Sequence, residues 1–579
     1  MLEKNFHWRN TEMRKHVAVV DGKRAPSLVL KDAVYLNAYT KKWTEAHIWI
    51  DGDRIIYVGS EWPANTDGTE IVDCTDQYLV PGYVEPHAHP FQLYNPETLA
   101  RQAAAYGTTT LVNDNLMWHF LLNKKKAFSL LDAFQSLPVS MYWWARLDSQ
   151  TALQDEESLF NTKDILSWLA HPAVIQGGEL TAWPSLLDGD DILLYWIQEA
   201  KRKGKPVEGH LAGASEKTLT KMKLLGVDGE HEAISGEDVF KRLELGYNVG
   251  MRYSSIRPDL PQILEELLAK GLTNFENTTM TTDGSTPNFY EQGLMNICID
   301  IAIQKGVPVE EAYQMATFNP ARHFGLHDQI GSITPGRIAH INFLEAKDNP
   351  HPKRVLAKGK WVAEDGVFLK ERQIDWEQHG LGPAELSWDI DESDLQFSIP
   401  VGLKMLNDVI IEPYAIEVDV SLEQLPINND DAFLVLLDKH GEWRVNTTIK
   451  GFTKELGAIV SSYSTTGDIV LIGKNKQDMR TAFQRMKALG GGIVAVHNGD
   501  ILTEMPLTLG GAMYNGSMAD LIAKEKELRE ILVQHGYPFS DPIYSILFLS
   551  STHLPYIRIT QQGIIDVKKR EVLFPAIMR

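Results

Sequence analysis

His87 and His89 stand two residues apart at the end of the short strand-like run PGYVEPHAHP, and residues i and i+2 of a strand point to the same side. Both imidazoles can therefore reach one ion. Other groups able to hold a metal or carry a proton close further strand-like runs. Glu179 ends AVIQGGE, His210 ends KPVEGH, His231 follows GVDGE, and Asp283 lies near the end of MTTDG. Each alone has an ordinary structural use, as a helix-capping carboxylate or a satisfied polar group at a strand end. Together the four His and two carboxylates form the inventory of a two-metal hydrolytic centre. A carboxylate such as Glu179 can bridge two cations about 3.5–4 Å apart with a hydroxide between them. Asp283 would then complete the first ion's shell and shuttle protons.

Such a set needs a scaffold that brings many strand ends to one place. After Pro81 the chain alternates apolar strand-like runs (TTTLVND, VSMYWWA, AVIQGGE, KPVEGH, GVDGEHE, YNVGMR, MTTDG) with stretches of helical period such as DDILLYWIQEAKRKG. This rhythm predicts βα units around a parallel sheet. Residues 81–333 number 253, close to the ~250 of an eight-stranded βα barrel, whose active site lies at the carboxyl ends of the strands. Before it, residues 1–80 carry short β-rich runs with turn residues between them, as in HIWIDGDRIIYVGS. After it, GSITPGRIAHINFLE and RVLAKGKWVAEDGVF in residues 334–372 return the chain to that small β-domain. Residues 373–400 read as a polar linker, and 401–579 as a third, α+β unit. The expected fold is thus α/β: a (β/α)8 TIM-like barrel with a composite small β-domain and a C-terminal α+β domain. Gly490-Gly491-Gly492 lacks the Lys and Ser/Thr that would follow in a phosphate loop, and reads as a helix-terminating turn.

Composition narrows the class. The net charge of -21 disfavours binding to nucleic acid or an anionic membrane. The two cysteines, Cys74 and Cys298, are too few for a disulfide framework or a thiolate cluster, so His and carboxylate must hold any metal. No apolar run reaches signal-peptide or membrane-span length, and the expected location is cytoplasmic.

With these residues in view the sequence resembles the amidohydrolase superfamily and, within it, the bacterial adenine deaminases. PGYVEPHAHP, YGTTTLVND, GGE, VEGHLAGAS, EHEAISGEDVFKRLELGYNVGMR and TTDG carry the likeness through the barrel. MATFNPARHFGL and GSITPGRIA carry it into the return segment, and GAIVSSY, LGGGIVAVHNGDIL and DPIYSILFLSSTHLPYIRIT into the C-terminal unit. The resemblance implies that His87, His89 and Asp283 hold one metal, that His210 and His231 hold the other, and that Glu179 bridges them. It implies two divalent transition metals, Mn(II) or Fe(II) ahead of Zn(II), a purine base as substrate, and a homo-oligomer. The implied reaction is hydrolytic deamination of adenine to hypoxanthine and ammonia, with attack by a metal-bound hydroxide at C6. Asp283 would accept its proton and deliver it to the leaving nitrogen. Glu232, beside His231, is a second candidate in catalysis, orienting the ring or a ligand imidazole.

The likeness departs from the family pattern at Pro90-Phe91-Gln92-Leu93, at Asn113-Asp114-Asn115, at Gly284 after Asp283, and at Tyr463–Asp468. These departures spare the ligand candidates and fall on the presumed substrate surroundings. Arg146, Trp183 and Arg252 are the residues expected to contact an altered substrate, through aromatic stacking or guanidinium hydrogen bonds. Two other readings stay open: hydrolysis of another aminated or cyclic-amide heterocycle, and a ligand-binding chain without turnover.

Overall fold

The computed structural model describes residues 9–371, 373–427 and 429–579. Eight parallel strands pair in chain order: β1 (Tyr83–Ala88), β2 (Thr108–Asn113), β3 (Ser140–Ala145), β4 (Val174–Leu180), β5 (Val207–Gly209), β6 (Gly229–Glu230), β7 (Asn248–Arg252) and β8 (Thr278–Thr281). Strands β1 to β4 and β8 are buried along their whole length, as parallel strands covered on both faces must be. The last strand lies against the first and closes the barrel. Glu85 of β1 ties that seam: it accepts hydrogen bonds from Thr281 Oγ1 at 2.7 Å, Thr282 N at 2.9 Å and Thr282 Oγ1 at 2.7 Å. Burial pushes its carboxyl up to about 7 despite these donors.

The intervening helices follow the expected period. Helix Asp191–Arg202 starts at Asp190, whose side chain accepts from the Ile192 and Leu193 amides, and it buries Leu193, Trp196, Ile197 and Ala200 on one stripe.

Residues on either side of the barrel build one nine-stranded sheet, because Tyr78–Pro81 pairs antiparallel with Ile341–Leu344. A helix at Asn10–Val20 precedes this sheet. In the C-terminal unit a second nine-stranded sheet is crossed by helix Lys476–Leu489, which ends at Gly490 in the left-handed region (φ 74°), as the helix-terminating reading requires. Residues 373–400 are irregular, yet Trp376, Leu381, Ile390 and Leu395 are buried, so the segment is packed onto its neighbours. No helix among the described residues is long and apolar enough to cross a membrane.

Candidate metal centre

The carboxyl ends of the barrel strands bring six predicted residues together. His87 sits on β1 with His89 just past it, Glu179 is the penultimate residue of β4, His210 follows β5, His231 follows β6, and Asp283 lies two residues past β8. Gly178 precedes Glu179 within β4 with φ +100°, and a Cβ there would run into the backbone oxygen of Glu208, so glycine is required.

Glu179 is the hub. Its Oε2 lies 3.9 Å from His87 Nε2 and 3.8 Å from His89 Nε2, while its Oε1 lies 2.6 Å from His210 Nδ1 and 3.4 Å from His231 Nε2. One carboxylate therefore presents one oxygen to each pair of imidazoles. Asp283 Oδ1 faces the first pair, 3.7 Å from His87 Nε2 and 2.9 Å from His89 Nε2. Three overlapping triads have their donor atoms close enough for a shared cation: His87/His89/Glu179, His87/His231/Asp283 and Glu179/His210/His231.

Two of these imidazoles are oriented from behind. His89 Nδ1 donates to Asp114 Oδ2 at 2.9 Å, and His231 Nδ1 to Glu208 Oε1 at 3.2 Å, which turns the Nε2 lone pairs inward. His231 Nε2 is buried without a hydrogen-bond partner, and His87 and His89 Nε2 stand only 3.2 Å apart. Converging lone pairs, an orphaned nitrogen and two carboxylates are the donor chemistry that a pair of divalent cations fits.

Around this core runs an alternating line of charge. Arg146, fully buried, makes a two-pronged contact with Asp114 through Nε at 2.9 Å and Nη2 at 2.7 Å, and the same Nη2 reaches Glu179 Oε2 at 2.9 Å. Burial opposes ionisation of Glu179, but Arg146 and then His210 hold it well below the usual carboxylate range. On the far side Arg252 Nη1 bonds Glu232 Oε1 at 2.6 Å and Asp283 Oδ2 at 2.9 Å, and Arg257 Nη1 takes Glu232 Oε2 at 2.5 Å. Despite burial, Arg252 and His89 keep Asp283 ionised, and His210 with both arginines holds Glu232 at about 2.

A cavity of about 210 Å³ opens on this face, and Glu179, Glu232, Arg252 and Asp283 line it. Of the three residues expected to meet substrate, Arg252 is at the wall and the other two are not. Arg146 lies beneath Glu179, its guanidinium consumed by carboxylates, and Trp183 packs half-buried on the barrel core from helix Trp183–Leu187. The sequence departures gather at the cavity: Phe91, Gln92, Gly284, Tyr463, Ser464 and Thr465 all line it. Gln92 accepts from the Tyr463 hydroxyl, and a Cβ at position 284 would stand 2.9 Å from both the Gln92 amide and His89 Cβ. Glycine after Asp283 and glutamine at 92 are thus one packing solution.

Four residues escaped the reading of the sequence. Asp114 and Glu208 end or lie on strands already singled out, so the partner rule for ligand histidines would have found them. Gln150, whose Nε2 reaches Glu179 Oε2 at 3.3 Å, sits in a loop with no local signal. His553 comes from the C-terminal unit and faces His210 edge-on with ring centroids 5.1 Å apart; burial and His210 push it down to about 3.

Comparison with known proteins identifies the family. Residues 78–362 match the amidohydrolase family and residues 409–571 the adenine deaminase C-terminal domain. A protein of Oceanobacillus iheyensis named "Putative adenine deaminase" is 56% identical over 579 residues, covering 100% of both chains. The chain belongs to the adenine deaminase family of amidohydrolases. A Bacillus subtilis member with the same kind of name is 52% identical over 580 residues, again covering 100% of both chains. Oceanobacillus iheyensis also has a protein named "Adenine deaminase" that is 26% identical over 581 residues, covering 96% of this chain and 97% of the other. As a member of this family, the chain is a hydrolase acting on C–N bonds.

Proposed function

We propose that the chain is a metal-dependent hydrolytic deaminase, with adenine or a closely related 6-aminopurine as substrate. The observation that carries this reading is the Glu179 carboxylate, with one oxygen toward each histidine pair at the floor of the cavity. His87, His89 and Asp283 would hold one divalent cation, His210 and His231 the other, and Glu179 both. Bound there, Mn(II), Fe(II) or Zn(II) would lower the pKa of water enough to make it a nucleophile at neutral pH.

The chain's own groups supply the proton traffic and the positioning. Asp283 Oδ2, held ionised by Arg252, can take a proton from the attacking water and pass it to the leaving amino nitrogen. Water adds at C6, the C6–N bond breaks, and adenine plus water become hypoxanthine plus ammonia. Glu232 has both oxygens held by Arg252 and Arg257, which suits it to fixing Arg252 and the nearby imidazoles. The C-terminal unit supplies part of the cavity wall, through Tyr463, Tyr544, Phe548 and His553.

A second reading, another aminated or cyclic-amide heterocycle, is favoured by the departures that line the cavity. It is also favoured by the presence in Oceanobacillus iheyensis of both a 56% and a 26% relative. One assay separates the two. Protein reconstituted anaerobically with Mn(II) or Fe(II) is expected to release ammonia and hypoxanthine from adenine. Release from a different aminated ring alone would move the substrate and keep the deamination. Ring opening without ammonia would overturn the deaminase reading.

A further inference from the structure

His553 is the group that the proposed chemistry leaves unused. It lines the cavity, its Nδ1 is buried without a hydrogen-bond partner, and its ring is edge-on to His210. The loop that carries it is pinned on both sides. Thr552 N donates to Gln150 O at 2.9 Å, Thr151 Oγ1 to Ser550 O at 2.6 Å, and Arg558 Nε to Ser551 O at 3.1 Å. Ring contacts run along the same segment: Tyr544 stacks on Phe548 at 5.0 Å, and Phe548 meets His553 edge-on at 5.9 Å. Tyr544 in turn donates to the carbonyl of Gly284, next to Asp283. The imidazole is thus held in place at the cavity wall, with ring hydrogen-bonding capacity that no contact among the described residues takes up and that a ligand in the cavity can use.

We infer that His553 is a specificity-determining residue that hydrogen-bonds the ring-nitrogen edge of a planar heterocycle held over Glu179. A neutral imidazole offers one donor and one acceptor, a match for the alternating ring nitrogens of such a base and a poor match for a carboxylate. The inference rests on the cavity being a heterocycle site and is independent of which heterocycle occupies it. It gives the C-terminal unit a direct part in selecting the substrate.

The test compares metal-loaded wild type with His553→Asn, His553→Phe and His553→Ala, using adenine, hypoxanthine, cytosine and hydantoin as ligands in calorimetric titration. Where a compound is turned over, KM and kcat are measured as well. Loss of the hydrogen bond in the Phe and Ala variants is expected to weaken binding about tenfold. The same loss is expected in KM, with kcat little changed, while Asn, whose amide can still donate, retains most of the affinity. A packing role predicts the reverse order, with Phe retained and Asn lost, and overturns the inference, as does affinity unchanged in all variants. If adenine fails but another ring binds and depends on His553, the aminopurine reading falls and this inference stands. If none of the four binds wild type, the inference falls with it.

Discussion

Asp283→Asn is expected to lower ammonia release by about 10²- to 10⁴-fold, the range a positioned general acid–base group contributes, while leaving metal content close to wild type. Asn keeps an oxygen where Asp283 Oδ1 faces His87 and His89, so the ligand position survives. It carries no charge for Arg252 to balance and does not accept a proton. The loss should appear in kcat as well as kcat/KM, because the group acts on the reacting atoms. A variant that keeps its metal and turns over within about tenfold of wild type would remove Asp283 from the proton path.

Arg146→Met is expected to destabilise the metal-free protein by about 3–5 kcal/mol, the cost of breaking a buried ion pair by removing one partner. Methionine fills much of the space but strips Asp114 and Glu179, both buried, of the guanidinium they share, leaving each with imidazole contacts only partly able to replace it. Chemical denaturation of the apoprotein reads the effect. Arg146→Met combined with Asp114→Asn should recover part of the loss, since one of the two stranded charges is gone. Arg146→Lys should fall between, keeping a charge but losing the two-pronged geometry. An Arg146→Met apoprotein within about 1 kcal/mol of wild type would show that the two carboxylates do not need the guanidinium.

The contrast between these two residues shows what a sequence can reveal. Asp283, Glu179 and the four histidines are legible because a parallel barrel puts its strand ends in one place, so spacing along the chain translates into proximity. The alternation that defines the barrel is equally visible, since its strands are continuous apolar runs. Arg146 also follows a strand, but an arginine reaches far in several directions. Which carboxylates it meets is decided by β2 and β4 rather than by its own neighbours. Trp183 follows Glu179 closely in sequence yet sits on a helix that turns it to the core. His553 lies 343 positions after His210 and arrives by packing of the C-terminal unit, which no local pattern encodes. The helix at Asn10–Val20 has no side-chain cap at its start and buries only Val19, so it leaves little periodic trace.

The central claim is that one carboxylate, Glu179, joins two histidine pairs into a binuclear centre. Metal analysis of wild-type protein after anaerobic reconstitution with Mn(II) or Fe(II) tests it most directly. The account predicts about two ions per chain, as a two-metal hydrolytic site requires, with occupancy lost in Glu179→Ala. A folded wild-type protein that takes up no metal, or a Glu179→Ala variant that still holds both ions, would contradict it.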